Sequence, residues 1–539
     1  MTCSKIFSGD LTELTDEILQ YLRNDISTLY SCILVNRLLC RLAIPLLWED
    51  TFSIKNFKNY HFIEIYLQYL DKEKLQDYGI NKNLFPLNTL FNYLSFIKHL
   101  NTQNIISTIK LWVGNLLTRE IGNQSNQFTL QLHPEYDLLK FIYESLFKIF
   151  IEREINLNTF DIFIFSNDDC DYFNIAFKLI LKNQSFIHNI KILNIKIYPT
   201  RINITTIIPY LKSINTISSL SYELHGRQYF SKNHFSSSRN LNHLITSFKN
   251  SNILNTLKII TFRNIYFSSM IAFDEIFEQL NVLESIHIIN CYSLNSFIQQ
   301  ILNITKPFKL KTLFMDNELL DIDLLQLLLQ KSSNYLENVS FGQLLINESK
   351  QESLELITKY CMKIKVFELF GFDDQNIYLL FNFIENIGQN LNHLAIHQIS
   401  NSSNNFEISL IVLQNLGQIL PFKLEYLDLN LIIENASDFK IFLKNSQNTF
   451  INRLCIKIII IRESGNDILH YIKDYIMRKK RVKYLGFKVN NNDLFVLKDE
   501  VKEFELYNIK VKIYSSLSTE FIYILKKDVL VTNVFIIKS

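Results

Sequence analysis

The apolar residues of this chain recur in one pattern along much of its length. The pattern is Leu-x-x-Leu-x-Leu, with Ile, Val, Met or Phe as substitutes, and its successive middle residues are 26 to 33 positions apart. The clear copies centre on Leu257, Ile286, Leu313, Val339, Phe367, Leu394, Leu427, Leu454 and Leu485. Weaker copies centre on Ile109, Phe160, Leu193 and Leu220. Such self-similarity predicts a stack of repeated structural units.

The segments between these short strands have helical periodicity. The clearest stripe is Ile377, Leu380, Phe381, Ile384 and Ile387, spaced as one face of an amphipathic helix. Further helices are predicted near residues 271–280, 324–329, 354–360 and 439–443. A polar stretch at 225–242, rich in Ser, Asn and His, predicts a protruding loop.

Strand and helix therefore alternate within each unit, which indicates the α/β class. Alternate strand residues point inward, and no single unit can bury that face alone, so neighbours must stack. Pattern and period resemble the leucine-rich repeat, which implies a curved solenoid over 101–539, with parallel strands concave and helices convex. A doubly wound sheet is the alternative, but no Gly-rich phosphate turn is present and the spacing is too regular for it.

Residues 5–50 lack the strand motif and are predicted to form short amphipathic helices, with Thr15 as a candidate N-cap. Residues 51–100 are then a helical connector or a cap of the solenoid. The first segment contains, in order, Leu14, Glu17, Ile18, Leu22, Leu29, Cys32, Val35, Arg37, Pro45, Leu46, Leu47 and Trp48. With these residues in this spacing the segment resembles the F-box family, and its position before the predicted leucine-rich repeats strengthens the resemblance. Thr15, Asn36 and Leu39 depart from the family pattern.

The F-box resemblance implies docking onto the Skp-type adaptor of a cullin-RING ubiquitin ligase. Three short helices carry more apolar residues than they can bury among themselves, and surplus apolar surface favours a partner. The alternative is that this surface packs on the first repeat. The residues expected to bind the adaptor are Leu14, Ile18, Leu19, Leu22, Leu29, Val35, Arg37 and Leu38.

Geometry also predicts a surface for the target protein. Motif positions 3, 5 and 7 point away from the core, and their mixture of aromatic and charged side chains suits a protein anchor better than a nucleic-acid groove. The main candidates are Phe314, Glu368, Phe370, His393, His397, Tyr426, Asp428, Arg453, Lys457 and Tyr484. The same row also takes in Thr256, Lys258, His287, Asp316 and Lys488.

Composition narrows the class of protein. Hydrophobic residues make up 48% of the 539 positions, which indicates a folded chain, and the net charge of +2 provides no general attraction to nucleic acid or membrane. Seven scattered cysteines without a CxxC pair indicate free thiols, not disulfides or a zinc site. No secretory or membrane-spanning segment is evident. We therefore expect a soluble protein of the cytoplasm or nucleus.

The sequence carries no recognised catalytic motif, and we expect neither enzymatic activity nor a cofactor. His393 and His397 are four apart but are predicted on a strand, without a third metal ligand. Asp168, Asp169 and Asp171 are expected in a solvated loop. The basic run 478–483 is either a phosphate-binding or nuclear-targeting signal, or the end of a helix whose dipole it complements.

These features predict the substrate-recognition subunit of an SCF-type ligase, a monomer within a larger complex that binds an unknown target protein. The main alternative is a repeat scaffold independent of any ligase, whose N-terminal helices only cap the solenoid. An enzyme with a site near the histidines of 225–243 is a more distant alternative.

Overall fold

The computed structural model describes residues 12–518 with internal gaps. The gaps are residues 24, 54–60, 71–77, 79, 81–84, 86–88, 122–132, 198–215, 225–233, 250, 268–272, 316–320, 342–346, 375, 399–404 and 463–465. The chain divides into two compact units, one ending at Lys258 and one beginning at Ile259. Among the helices described, none combines the length and the apolar character that crossing a bilayer requires.

The first unit begins with three helices: α1 (Thr12–Tyr21), α2 (Ile26–Ile33) and α3 (Arg37–Trp48). Side chains cap the second and third, because Asp25 accepts from the amide of Thr28 at 3.0 Å and Asn36 from that of Leu39 at 2.8 Å. Thr15 was predicted as an N-cap, but it lies buried inside α1 because the helix begins three residues earlier. The three helices share a small core of Leu19, Leu29, Leu39, Ala43, Leu46 and Leu47.

The rest of the first unit contains both strands and helices. Its elements are α4 (Phe62–Leu67), β1 (His99–Asn101), α5 (Thr102–Ile121), α6 (His133–Glu152), β2 (Thr159–Ile164), α7 (Asn167–Lys182), β3 (Ile192–Ile197), β4 (Ser219–Leu224) and α8 (His234–Ser247). Strands β1 to β4 pair in parallel and in chain order. The middle residues predicted for three repeats are aligned across the sheet, Phe160 with Leu193 and Leu193 with Leu220.

Two sequence predictions in this unit are wrong. Ile109, predicted at the centre of a strand, lies in α5, where Ile105, Ile109 and Trp112 are buried at helical spacing; the strand is the shorter β1. The polar stretch 225–242, predicted as a loop, is helical from His234, where α8 begins, and residues 225–233 lie outside the described residues. Leu241 and Leu244 begin a buried stripe along that helix. Helix α8 is therefore the helix of a repeat unit.

The second unit has the longer run of repeats. Its elements are β5 (Ile259–Arg263), α9 (Phe273–Gln279), β6 (Ser285–Ile289), α10 (Leu294–Leu302), β7 (Leu310–Met315), α11 (Ile322–Ser332), β8 (Asn338–Phe341), α12 (Asn347–Tyr360), β9 (Val366–Phe370), α13 (Ile377–Ile387), β10 (His393–His397), α14 (Asn405–Ile419), β11 (Tyr426–Ile433), α15 (Ala436–Asn445), β12 (Ile451–Ile460), α16 (Asn466–Ile472), β13 (Val482–Val489), β14 (Asn492–Asp493), α17 (Lys498–Leu506) and β15 (Lys510–Lys512). A π-helical turn, Lys473–Met477, extends α16.

Strands β5 to β13 pair in parallel and in chain order, and β13 then pairs with β15 in parallel and with β14 antiparallel. The predicted middle residues are aligned from β7 onward, as in the ladder from Phe367 through Leu394 to Leu427. This ladder faces the helices, because the ring of Phe367 lies 4.6 Å from that of Phe383 on α13. The unit is therefore a repeated α/β arrangement with an open parallel sheet.

The predicted alignment fails at the start of this unit. Ile260, not Leu257, is aligned with Ile286, because residues Asn252–Asn255 form a 3₁₀ turn and delay the strand. An irregularity at Ile286 and His287 then aligns Ile288 with Leu313.

Candidate functional site

The polar side chains of the second unit lie on the sheet face opposite the helices. Strand register forms them into adjacent rows: His393, Tyr426, Arg453 and Tyr484 are successive neighbours in one row. Because side chains alternate along a strand, the residues two and four positions after this row lie on the same face. The candidate face is defined here as this surface of β7 and β9–β13, with Phe314, Glu368, Phe370, His393, His397, Tyr426, Asp428, Arg453, Lys457 and Tyr484.

Two remaining members of the predicted row, Thr256 and Lys258, do not belong to this face. Thr256 and Lys258 precede β5 and belong to the first unit, where the Thr256 hydroxyl donates to the carbonyl of Ile217 at 2.9 Å; the delayed strand excludes them. Asp316 lies outside the described residues. His287 and Lys488 remain on their strands, aligned with Thr312 and Lys457.

The candidate face is not uniformly open. Phe370, His393, His397, Arg453, Lys457 and Tyr484 are partly exposed, whereas Phe314, Glu368, Tyr426 and Asp428 are buried. The buried acid Glu368 accepts a hydrogen bond from the Ser340 hydroxyl at 2.8 Å. The partly exposed members are therefore directly accessible to another molecule. The buried members become accessible only when the residues that cover them move away.

Asp428 is the centre of the most connected polar cluster on the face. Its carboxylate accepts hydrogen bonds from the hydroxyls of Ser518 at 2.6 Å, Tyr514 at 3.0 Å and Tyr426 at 3.2 Å. His397 Nε2 lies 3.5 Å from the same carboxylate. The sequence did not indicate Tyr514 or Ser518 as members of the site. Their only sequence signal is the spacing of Tyr514, Leu517 and Ser518, which suits one side of a helical turn.

Asp428 and His397 stabilise each other's charged forms. Burial on its own would raise the pKa of Asp428, but the charge of His397 and the hydrogen bonds from Ser518 and Tyr514 outweigh it and lower that pKa. Burial would likewise lower the pKa of His397, yet the carboxylates of Asp428 and Glu368 raise it above its ordinary value. The pair therefore favours an imidazolium and a carboxylate.

Other groups on the face have different protonation. Burial and the nearby charge of Arg453 lower the pKa of His393 to about 4, so its imidazole is neutral near pH 7. Its ring stacks on Tyr426 at 5.8 Å. Tyr484 is surrounded by cations, with Lys512 at 5.1 Å and Arg453 at 5.7 Å from the ring centre. The edge of the face at β12 and β13 is therefore positively charged and aromatic.

The structure separates the expected adaptor-binding residues into two groups. Leu19 and Leu29 are buried in the helical core, so neither can contact a partner; they position the helices instead. Leu22 packs against the same core. The more accessible residues are Leu14, Ile18, Val35, Arg37 and Leu38, of which Leu38 is only partly exposed.

The chemical alternatives raised by the sequence have structural explanations. Asp168, Asp169 and Asp171 are not in a loop but in α7. Asp168 and Asp169 lie in its first turn, where Asp169 and Ser166 form a capping box. In the basic run, Arg481 is buried and donates to the carbonyls of Leu443 and Ser446 at the end of α15. Within the described residues, no group of three His, Cys, Asp or Glu side chains is arranged to hold a metal ion.

Comparison with known proteins finds no protein family whose model matches this chain. No characterised protein matches it either.

Proposed function

We propose that this chain is the substrate-recognition subunit of an SCF-type cullin-RING ubiquitin ligase. Its N-terminal helices dock the Skp-type adaptor, and the candidate face holds the target protein. Ubiquitin transfer takes place on other subunits, so the chain contributes proximity and no catalytic step. A ligase of this kind operates in the cytoplasm or nucleus.

The observation that carries this proposal is that the N-terminal helices close a core of their own and still leave large apolar residues exposed to solvent. In α1, Leu14 is 41% exposed and Ile18 45%, and in the turn between α2 and α3, Val35 is 63% exposed. Exposed apolar residues concentrated on a small helical module favour a protein partner. The resemblance of this segment to the F-box supplies the class of partner.

The candidate face supports the second half of the proposal. It combines aromatic rings, partly exposed cations and two buried carboxylates, a mixture that suits protein recognition. A nucleic-acid groove would be more uniformly basic, whereas Glu368 and Asp428 interrupt the cations here.

The adaptor interface can be tested with a double variant, Ile18→Asp with Val35→Asp. Titration calorimetry with a purified Skp-type adaptor is expected to show binding weakened at least about tenfold, because both changes place a charge in an apolar interface. Leu506→Asp is the matched control, since Leu506 is an apolar helical residue that is 81% exposed in the second unit. All three proteins are expected to unfold at similar temperatures. Equal adaptor affinity in all of them would refute the docking proposal.

A repeat scaffold independent of any ligase remains the second candidate function, and one observation favours it. The carbonyl of Glu49, just after α3, accepts hydrogen bonds from the amides of Lys98 and His99 at the start of β1. The Glu49 side chain also pairs with Arg23 at 2.8 Å. The helices thus cap the first strand, as repeat arrays require. If capping is their whole role, the wild-type chain will not bind the adaptor.

A further inference from the structure

A short segment near the end of the described chain lies on the candidate face. Residues 514–518 have helical backbone and directly follow the loop after β15. Tyr514 and Ser518 both donate to the carboxylate of Asp428, at 3.0 and 2.6 Å. Asp493 on β14 accepts from the backbone amide of Tyr514 at 2.9 Å, which fixes the start of the helical turn. The face therefore already holds a peptide segment of this chain.

Apolar contacts complement these hydrogen bonds. Leu517 is fully buried and Tyr514 nearly so, and both belong to an apolar cluster with Tyr426 and Cys455. Gly486 on β13 permits the close approach. A Cβ atom at position 486 would lie 3.2 Å from the Cα of Tyr514 and 3.3 Å from a methyl group of Leu517. The sheet surface thus fits one helical turn in shape as well as in polarity.

We propose that the candidate face recognises a helical turn of the target protein that carries Tyr, Leu three residues later and Ser directly after it. Residues 514–518 occupy the surface as an internal ligand of the same chemistry. This inference deepens the proposed function by naming what the target presents. It rests on target binding at the candidate face and does not require the adaptor.

The receiving surface is suited to exchange of its occupant. Asp428 keeps His397 and Tyr426 as partners when the segment leaves, so its carboxylate is not left buried without a donor. A tethered segment acts at a millimolar effective concentration. Only a target that binds more tightly, or that is brought close by a second contact, would displace it.

The charges beside the segment specify the target further. Lys457 and Lys488 are neighbours in the sheet, and Arg453 and Lys512 lie around Tyr484. Four cations at the edge of the surface favour acidic residues on either side of the Tyr-x-x-Leu-Ser turn.

The test uses the full chain with Tyr514→Ala and Leu517→Ala, which together remove both apolar anchors and leave the receiving face unchanged. The probe is a fluorescein-labelled peptide of residues 513–520, measured by fluorescence anisotropy. We expect it to bind the double variant at least about tenfold more tightly than the wild type, because the internal ligand no longer competes. The same peptide with Tyr replaced by Ala should not bind.

Maleimide labelling of Cys455, followed by peptide mapping, reports whether the surface is vacated. We expect Cys455 to react faster in the double variant, since it packs in the same cluster as Tyr514 and Leu517. Faster labelling of Cys455 without peptide binding would overturn the proposal, because the vacated surface would then not recognise the Tyr-x-x-Leu-Ser turn. Protected Cys455 without peptide binding would also overturn it, since the segment would not be an exchangeable occupant. Equal peptide affinity for both proteins would show that the segment does not compete.

Adaptor titration of the same double variant separates this inference from the ligase proposal. Both anchors lie in the second unit, so adaptor affinity is expected to equal that of the wild type. Peptide binding without adaptor binding would refute the ligase and retain the peptide surface. Adaptor binding without peptide binding would refute the peptide surface and retain the ligase proposal.

Discussion

The hydroxyl of Tyr514 donates a 3.0 Å hydrogen bond to the carboxylate of Asp428, although 86 positions separate the two residues. Burial and the charge of Asp428 both raise the pKa of this hydroxyl, so Tyr514 keeps its proton for the bond. Together with Ser518, this contact brings the last described segment of the chain onto a carboxylate in β11. We therefore expect the stability of the cluster to depend on the protonation of that carboxylate and of its partner His397.

Replacing Asp428 by Asn is expected to lower the pKa of His397. The wild-type pKa is raised by Asp428 and Glu368, while burial and Lys457 act to lower it. Without the carboxylate of Asp428, burial and the charge of Lys457 determine more of the pKa of His397. The measurement is NMR titration of the His397 ring proton in both proteins, and an unchanged pKa in Asp428→Asn would contradict the assigned ion pair.

The same pair predicts how stability depends on pH. Because the folded pKa of His397 is raised, its stabilising contribution is complete below the unfolded value near 6.5 and is lost as pH rises through the folded pKa. Asp428 has a lowered pKa, so its contribution is present above about 3.8 and is lost as pH falls through the folded pKa. Urea unfolding from pH 6 to 9 should show a fall in the wild type that Asp428→Asn lacks. Parallel curves would count against the pair.

His287 is expected to make the protein less stable in acid. Its imidazole is buried between the hydroxyls of Thr312, at 2.8 Å, and Ser285, at 3.3 Å. Burial, with the charges of Lys311 and Arg263, lowers its pKa to about 3. Below pH 6.5 the unfolded chain binds a proton that the folded chain excludes, so the free energy of unfolding falls by up to about 1.4 kcal/mol per pH unit.

Gln in place of His287 keeps hydrogen-bonding capacity but does not titrate. Urea unfolding between pH 7 and 4.5 should therefore show a smaller acid-induced loss of stability for His287→Gln than for the wild type. The difference between the two curves isolates His287, because every other titrating group is shared. If the losses are the same, His287 is protonated in the folded chain.

Arg481→Ala is expected to lower the free energy of unfolding by about 3 kcal/mol, because it leaves buried acceptors unpaired. The guanidinium donates to carbonyls at the end of α15 and to the carbonyl of Thr449 at 3.2 Å. Arg478→Ala is the matched control: Arg478 is exposed and pairs only with Asp474 among the contacts described, so its loss should cost less than about 1 kcal/mol. If urea unfolding shows similar losses of unfolding free energy for Arg481→Ala and Arg478→Ala, the hydrogen bonds of Arg481 do not stabilise the fold more than an exposed ion pair does.

Two glycine substitutions test the helix packing. Gly417 lies in α14, where an added Cβ would be 2.9 Å from the Cβ of Asn445 at the end of α15. Gly417→Ala is expected to destabilise the protein by about 1–3 kcal/mol through overpacking. Gly114 in α5 has nothing within 4 Å of an added Cβ, so Gly114→Ala should stabilise by about 0.5–1 kcal/mol. Thermal unfolding that shifts both variants in the same direction would contradict this packing.

The sequence predicted the repeats best where one apolar row must face the helices. Phe367, Leu394 and Leu427 are aligned in the structure because a shift of one residue would turn each of them away from the core. The prediction failed where helix and strand patterns share their residues. Ile109 satisfies the strand motif, yet it also belongs to the longer helical stripe of α5, which the structure adopts.

The candidate face was only partly predictable. Alternation along the strands identified His393 and Arg453 on a common face, because that depends on local geometry alone. Asp428 accepts hydrogen bonds from Tyr514 and Ser518, which are distant in sequence and lie beyond the last repeat motif. A local pattern does not show which distant segment covers a surface. The burial of Leu19 and Leu29 similarly depends on how three helices pack together.

Amide hydrogen exchange of the full chain, with and without a purified Skp-type adaptor, tests the central claim most directly. We predict slower exchange in α1 and α2 when the adaptor is added, with no change in strands β9–β13. An adaptor that leaves exchange in α1 and α2 unchanged would contradict the account.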